Sequence, residues 1–431
     1  MKFIITLIML AAAVSPTLAQ GVSQTPAISL KKDVGEQNLA KAIAPTTLGY
    51  QFVLIKDGKI ISEKADGKAR ANNDGDMPMK TTTPMDIGSL FKFITGTTML
   101  NLMEKGSEKM NSDFKKLSFD DKLDRRIWGA LPAVWLDVFP KPSSPSPNQR
   151  SITYRQLLQH RSGFDDQWNI AKKGARPFLE FMEKGFLASQ YNVRDYTNIN
   201  FTAVGFLIPL LERNFVKYDL DQKTWNASTQ KPHNMTQAEA DLYIQTELGK
   251  GMDKLMRERI WNKMTPKFNP SCDPTNDPVM KNTAAYGYTS LSDPDGIITS
   301  QIDNKGFCGG EGGYYMSALD FANYAAHFSQ SDLVVSKTVR DKMYNETMNA
   351  NDRLVWANEK ADGWTLEHFK MPTILWSNGG TQGTRTVMLR LPQNYYLIIF
   401  SNTRNDGNGQ DGTQLFNFGR TAFKEAMKHN F

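Results

Sequence analysis

From Tyr50 the chain runs Tyr-Gln-Phe-Val-Leu-Ile, breaks at Lys56-Asp57-Gly58-Lys59 and resumes with Ile60-Ile61-Ser62. Two apolar runs separated by Asp-Gly predict an antiparallel hairpin. Between Ser89 and Lys105 the apolar positions Phe93, Ile94, Leu100, Leu102 and Met103 predict a largely buried helix that stops at Gly106. From about Asp120 to about Met264 the pattern is mainly helical, with helical periodicity over Tyr154 to Leu158, Asn200 to Glu212 and Thr236 to Met264. Proline-rich stretches, Pro140 to Pro147 and Pro266 to Pro278, interrupt or bound these segments. The last third returns to strands, Thr384 to Arg390 and Tyr395 to Phe400, joined by a turn at Pro392-Gln393-Asn394. A final amphipathic helix is expected from about Thr413 to Lys428. Strands at both ends with helices between predict an α/β chain, an α+β three-layer sandwich whose antiparallel sheet is built from both termini and flanked by helices. A helical subdomain over about 120–300 is inserted in a domain spanning 46–431.

The N-terminus has its own pattern. Lys2, the apolar run Phe3 to Val14 and the small residues Thr17 and Ala19 form a secretory signal peptide over 1–19. The run is shorter than the roughly 20 residues needed to span a bilayer. Residues 20–45, polar with scattered Ala, Gly and Pro, read as a leader segment ahead of the fold. A periplasmic or secreted protein with no stable membrane span is expected.

Composition narrows the class. At 40% hydrophobic and 22% charged, the 431 residues are those of a globular chain. The net charge of +6 is spread without a basic block, which argues against a nucleic-acid partner. The partner expected is a small-molecule or peptide substrate; oligomeric state is not legible. Cys272 and Cys308 are the only cysteines, and in an oxidising compartment a disulfide between them is expected, with two buried free thiols as the alternative. Five scattered histidines without H-E-x-x-H or C-x-x-C give no reason to expect a metal, and no cofactor is implied. Gly407-Asn-Gly409-Gln-Asp-Gly412 matches G-x-G-x-x-G, but it stands six residues beyond Phe400 with no strand to follow, so it reads as a loop.

The candidate chemistry begins at Ile87-Gly88-Ser89-Leu90-Phe91-Lys92. In this S-x-x-K the two side chains share a helix face, with β-carbons about 5 to 6 Å apart. A serine needs a base to become a nucleophile, and a lysine serves only when desolvation by neighbours such as Phe91, Phe93 and Ile94 favours the neutral amine. The backbone N–H groups of the helix start lie where negative charge would develop. Alone, the spacing is also that of any serine near a helix start. Asp195-Tyr196-Thr197-Asn198 adds a phenol able to relay protons and a carboxamide able to hold a carbonyl, although Y-x-N also fits a buried, satisfied tyrosine. Trp376-Ser377-Asn378-Gly379-Gly380-Thr381-Gln382-Gly383 adds glycines where a strand begins, which admit a substrate close to the backbone, or merely make a turn.

In this order the three elements resemble the penicillin-recognising serine hydrolases, in the branch of class C β-lactamases, D-alanyl-D-alanine carboxypeptidases and family VIII-type esterases. Leu157-Leu158-Gln159-His160-Arg161-Ser162-Gly163 is similar to that family's L-L-x-H-x-S-G segment. Gly312-Gly313-Tyr314-Tyr315-Met316-Ser317-Ala318-Leu319-Asp320 is similar to its G-G-x-x-S-x-x-x-D stretch, with Ser317 beside the usual serine position. The resemblance implies that Ser89 is acylated, Lys92 is the base and Tyr196 joins the proton relay. It implies that Asn198, Ser377, Asn378 and Gly379 contact substrate, that the N–H groups of Ser89 and Gly380 form the oxyanion hole, and that His160 is structural. The chain departs from the family at Ser377, where a Lys or His is usual; Arg385 is a candidate replacement for binding a carboxylate. The expectation is an exported serine hydrolase forming an acyl-enzyme from an ester or amide. A carboxypeptidase or class C β-lactamase is the alternative within the fold, and an inactive binder of peptides or cell-wall fragments the alternative outside catalysis.

Overall fold

The predicted hairpin is present: β1 (Gly49–Lys56) and β2 (Lys59–Arg70) pair across Asp57 and Gly58, both at positive φ (49° and 73°) as a tight turn of this hand requires. In the computed structural model the described residues are 30–131, 149–165, 186–212, 237–298, 309–346, 353–356, 358–360, 365–366, 369–370, 374–404 and 413–428. The short β3 (Met77–Pro78) pairs with β2, and β4 (Met85–Asp86) pairs separately with β5 (Tyr315–Met316). Near the other end lie β6 (Asn358–Lys360), the two-residue pair β7 (Thr365–Leu366) and β8 (Phe369–Lys370), then β9 (Ile374–Gly380), β10 (Arg385–Leu391) and β11 (Tyr395–Ser401). Among the described residues the main sheet is antiparallel in the order β3-β2-β1-β11-β10-β9-β6.

The chain's two ends therefore meet in the middle of the sheet, with Tyr50 opposite Ser401 and Ile55 opposite Tyr396. The continuous apolar runs of β1 and β11 follow from that position, since a central strand here is covered on both faces. Helices α1 (Lys32–Ile43) and α11 (Thr413–Lys428) cover one face, where Leu39, Ile43, Leu415, Phe416 and Phe423 pack on Phe52, Leu54, Val387, Leu397 and Ile399. The other face carries Val53, Ile55, Met388, Ile398 and Phe400. It meets α2 (Phe91–Lys105) and α9 (Ala318–Gln330) through Phe91, Phe93, Ile94, Phe321 and Tyr324. Each such buried apolar side chain contributes about 1.5–3 kcal/mol.

Between these layers the chain is helical: α3 (Ser112–Lys116), α4 (Phe119–Leu123), α5 (Tyr154–Leu158), α6 (Asn198–Leu211), α7 (Gln237–Arg259) and α8 (Met280–Thr283), with α10 (Lys337–Asn345) following α9. Helix α6 is buried from Ile199 to Leu211 and packs against both α2 and α7, which makes it the post on which the helical part rests.

Two expectations change. The helix expected from Ser89 begins instead at Phe91, because Gly88–Leu90 form a tight 3-10 turn with Gly88 at φ 52°. The leader expected over 20–45 is, over Lys32–Ile43, part of the fold: Gly35, Leu39 and Ile43 recur every four residues on a polar helix and bury against α11. The signal peptide over 1–19, the Pro140–Pro147 stretch and the Gly407–Gly412 loop lie outside the described residues.

Candidate active site

The turn that carries Ser89 is held from three sides. From the residue before β5, the Tyr314 carbonyl accepts from Ile87 N–H at 3.0 Å. From the start of β10 and the residue before it, Thr386 Oγ1 donates to the Ile87 carbonyl at 2.7 Å and Thr384 Oγ1 to the Asp86 carbonyl at 2.9 Å. From within, the buried Asp86 carboxyl accepts the Gly88 N–H at 2.8 Å. The end of β9 lies directly against this turn: a Cβ on Gly379 would sit 2.0 Å from the Ile87 carbonyl oxygen, and one on Gly88 2.7 Å from Gly380 N. Only glycine admits so close an approach of two backbones.

Ser89 is half-buried and Lys92, one turn on, is 3% exposed. Lys92 Nζ lies within hydrogen-bond distance of Ser89 Oγ at 2.7 Å, Asn198 Oδ1 at 2.8 Å and the Glu311 carbonyl at 2.9 Å. The Tyr196 ring faces the same nitrogen, 5.2 Å from ring centroid to Nζ, within cation–π range. Tyr196 (39% exposed) and Asn198 open to solvent, so the group is reached from one side of the molecule.

His160 sets the Tyr196–Asn198 segment in place. Its backbone is left-handed at φ 56°, its carbonyl accepts from Asp195 N–H at 2.8 Å, and its Nδ1 accepts from Thr197 N–H at 3.3 Å. Its ring stacks on Tyr196 with centroids 4.5 Å apart. Burial, then the positive charges of Arg194 and Lys92, push the His160 pKa well below the ordinary imidazole range. The ring is thus neutral with Nδ1 as acceptor.

Strand alternation divides the expected substrate contacts. Ser377, 3% exposed, shares the face of Leu375 and Met388, where the nucleophile turn packs, whereas Asn378 shares the face of Trp376 and Val387. Gly379 and Gly380 reach the site through backbone. Arg385 lies on the Asn378 side of the sheet, 4% exposed, and its Nη1 donates to the carbonyls of Thr381 (2.8 Å) and Thr384 (2.7 Å), so it braces the β9–β10 turn. Cys272 is disulfide-bonded; Cys308 lies outside the described residues. Among the described residues no group of His, Cys, Asp and Glu is arranged to hold a metal ion, and no helix is long and apolar enough to cross a membrane.

Four contributors escaped the sequence reading. The Glu311 carbonyl stands immediately before the Gly312-Gly313 pair, itself packed 3.6 Å from the Gly88 backbone for a Cβ placed on Gly312. Thr384 stands just before β10 and Thr386 within it, and Asp86 precedes Ser89 by three residues. Burial pushes the Asp86 carboxyl up to about 7, against the lowering effect of the Gly88 N–H. Ser317, beside the family's usual serine position, caps α9: its Oγ accepts from Asp320 N–H at 3.1 Å and donates to Asp320 Oδ2 at 2.7 Å.

Residues 36–213 match the beta-lactamase family model. No curated protein matches the chain by sequence. The structure is similar to a class C β-lactamase from Rhodobacter sphaeroides (14% identity, TM-score 0.58, covering 92% of this chain and 99% of that one). It is also similar to the D-alanine carboxypeptidase AmpC from Burkholderia cenocepacia (14% identity, TM-score 0.59, 93% and 99%). A third likeness is to FmtA from Staphylococcus aureus (15% identity, TM-score 0.60, 92% and 90%). The chain has the β-lactamase/transpeptidase-like fold of these neighbours.

Proposed function

We propose that this protein is an exported serine hydrolase that works through an acyl-enzyme on an ester or amide. The observation that carries the reading is the 2.7 Å contact between Lys92 Nζ and Ser89 Oγ, inside a group that also holds Asn198 and faces Tyr196. With Lys92 as the neutral amine, its lone pair takes the Ser89 proton as Oγ attacks the substrate carbonyl. The N–H groups of Ser89 and Gly380 stabilise the resulting oxyanion. The proton then passes by way of Lys92 and Tyr196 to the leaving alcohol or amine, and water, activated by the same groups, releases the acid and restores Ser89. Asn198 keeps Lys92 oriented and offers its amide N–H to the substrate carbonyl.

Ser377 directs the substrate preference. A buried hydroxyl replaces a cation there, so the site lacks a charge partner for a substrate carboxylate at that position, which favours an esterase or amidase without an obligatory anionic group. The structural likeness to a D-alanine carboxypeptidase and a class C β-lactamase supports the alternative that D-alanyl peptides or β-lactams are attacked. Export rests on residues 1–19, and a mature N-terminus at Gln20 is its test by N-terminal sequencing.

A labelled fluorophosphonate and a labelled penicillin, applied to the mature protein and to Ser89→Ala, test the reading. Labelling of the native protein but not of the variant is expected. Equal labelling of both, or of neither, removes the enzyme and leaves a binding protein. Turnover of p-nitrophenyl esters without turnover of nitrocefin or D-alanyl peptides selects the esterase.

A further inference from the structure

We propose that Asp86 is a positioning residue whose neutral carboxyl group holds the Gly88–Ser89 turn in its acylation-competent form, and whose ionisation slows acylation. The proposal rests on the reading of Ser89 as the nucleophile.

Asp86 is 3% exposed, and its two oxygens have different surroundings. Oδ1 accepts from Gly88 N–H, the peptide group immediately before Ser89, whereas Oδ2 is sealed from solvent without a hydrogen-bond partner among the described residues. A carboxylate in such a place lacks most of the donors that make burial of a charge tolerable, so the neutral acid is favoured. Gly88 is left-handed and its neighbours Asp86 and Ile87 are tied through their carbonyls to Thr384 and Thr386, so the Oδ1 bond closes a turn that is otherwise fixed on the β10 side.

The titratable or charged groups on the elements around Asp86 are few. Tyr315 lies opposite it across the β4–β5 pair, with its phenol pushed well above the ordinary range by burial, then by the Asp86 charge and by Tyr286, and so stays neutral. Lys92, on the first turn of α2, bonds to Ser89, Asn198 and the Glu311 carbonyl, and Arg385 directs Nη1 to Thr381 and Thr384. None of these contacts is to the Asp86 carboxyl.

The chemical consequence has a definite sign. Acylation creates a negative oxygen beside the Ser89 N–H, one residue beyond the N–H that Asp86 holds. An ionised Asp86 places a second negative charge in the same poorly solvated turn, which opposes the developing oxyanion. Loss of the Asp86 proton near pH 7 should slow acylation on the order of tenfold.

The experiment uses the mature full chain, the variants Asp86→Asn and Asp86→Ala, and the burst of p-nitrophenyl acetate acylation followed from about pH 5 to 9. Asp86→Asn keeps an oxygen for Gly88 N–H and cannot ionise. It should acylate about tenfold faster than the native protein above pH 7 and no faster well below it. Asp86→Ala, which loses the Gly88 bond, should be slow at every pH. In parallel, infrared difference spectra of the Ser89→Ala protein, with and without Asp86→Asn, should show a protonated-carboxyl band that disappears as pH rises through about 7 only where Asp86 is present. The proposal is overturned by superimposable pH profiles for native and Asp86→Asn, by a folded Asp86→Asn that fails to acylate, or by absence of that band. A failure of the nucleophile reading looks different: Ser89→Ala then shows the same burst as the native protein, while the infrared titration is unaffected.

Discussion

Replacing Gly379 by Ala tests how the nucleophile turn and the β9 strand fit together. The new methyl group would lie 2.0 Å from the Ile87 carbonyl oxygen, 2.6 Å from Thr386 Oγ1 and 2.7 Å from Leu90 N. Two of the three atoms are backbone, and the third is the hydroxyl that already donates to Ile87 at 2.7 Å, so no flexible side chain can yield. Either β9 or the turn must retreat by about 1 Å, and overpacking of this kind costs about 1–3 kcal/mol. A cost of that size lowers Tm by about 2–6 °C in a chain this long. The effect on chemistry should be larger, because the displaced atoms include the Gly380 and Ser89 N–H groups; loss of one oxyanion donor reduces rate about 10²–10³-fold. Gly129→Ala is the control, since a Cβ there meets no atom within 4 Å and the backbone is not left-handed; it should change stability by less than about 0.5 kcal/mol. Fluorophosphonate labelling rates and thermal unfolding of the two variants provide the comparison. If Gly379→Ala labels at the native rate with an unchanged Tm, β9 does not press on the Ser89 turn and the oxyanion hole described above is wrong.

Lys92→Met, which removes the amine from Ser89 and Asn198, should slow the p-nitrophenyl acetate burst by about 10²–10⁴; a rate within tenfold of native would give the base role to another group. Stability should also respond to pH through Asp86. Its folded pKa of about 7 lies above the ordinary 3.8, so the folded state binds the extra proton between those values, and stability is greatest below about pH 4 and declines as pH rises through 7. The full shift corresponds to at most about 4 kcal/mol, and urea unfolding of Asp86→Asn should lack this contribution to the decline. Ser317→Ala should cost about 0.5–2 kcal/mol through loss of the α9 cap without altering acylation at saturating substrate, as read by urea unfolding together with the burst.

The parts of the fold legible in the sequence are those written in side-chain pattern. Asp57-Gly58 between two apolar runs marked the β1–β2 hairpin, and the runs at Tyr50 and Tyr395 marked strands that prove to be the sheet's centre. The S-x-x-K spacing brought Ser89 and Lys92 together because one helical turn does so in any context. What was missed depends on backbone or on distant packing. The Glu311 carbonyl that holds Lys92 has no side-chain signature, and α1 looks like a polar leader because only Gly35, Leu39 and Ile43 bury. The importance of Asp86 arises from Tyr315, Thr384 and Gly88 closing around it, and the opposite facing of Ser377 and Asn378 only from the register of β9 against β10.

The pairing of β1 with β11 also governs how the polypeptide can be made. Tyr50 and Ser401 are about 350 residues apart, and at a synthesis rate of about 5–20 residues per second the first hairpin waits roughly 20–70 s for its neighbour to leave the ribosome. Through that interval the apolar edge of β1 has no lasting partner, because β11 also brings β10 and β9. Nascent chains of this topology stay unfinished until almost the last residue, a period in which holding factors or translocation machinery can engage them and in which a premature stop before β11 leaves a product with an open, adhesive sheet edge.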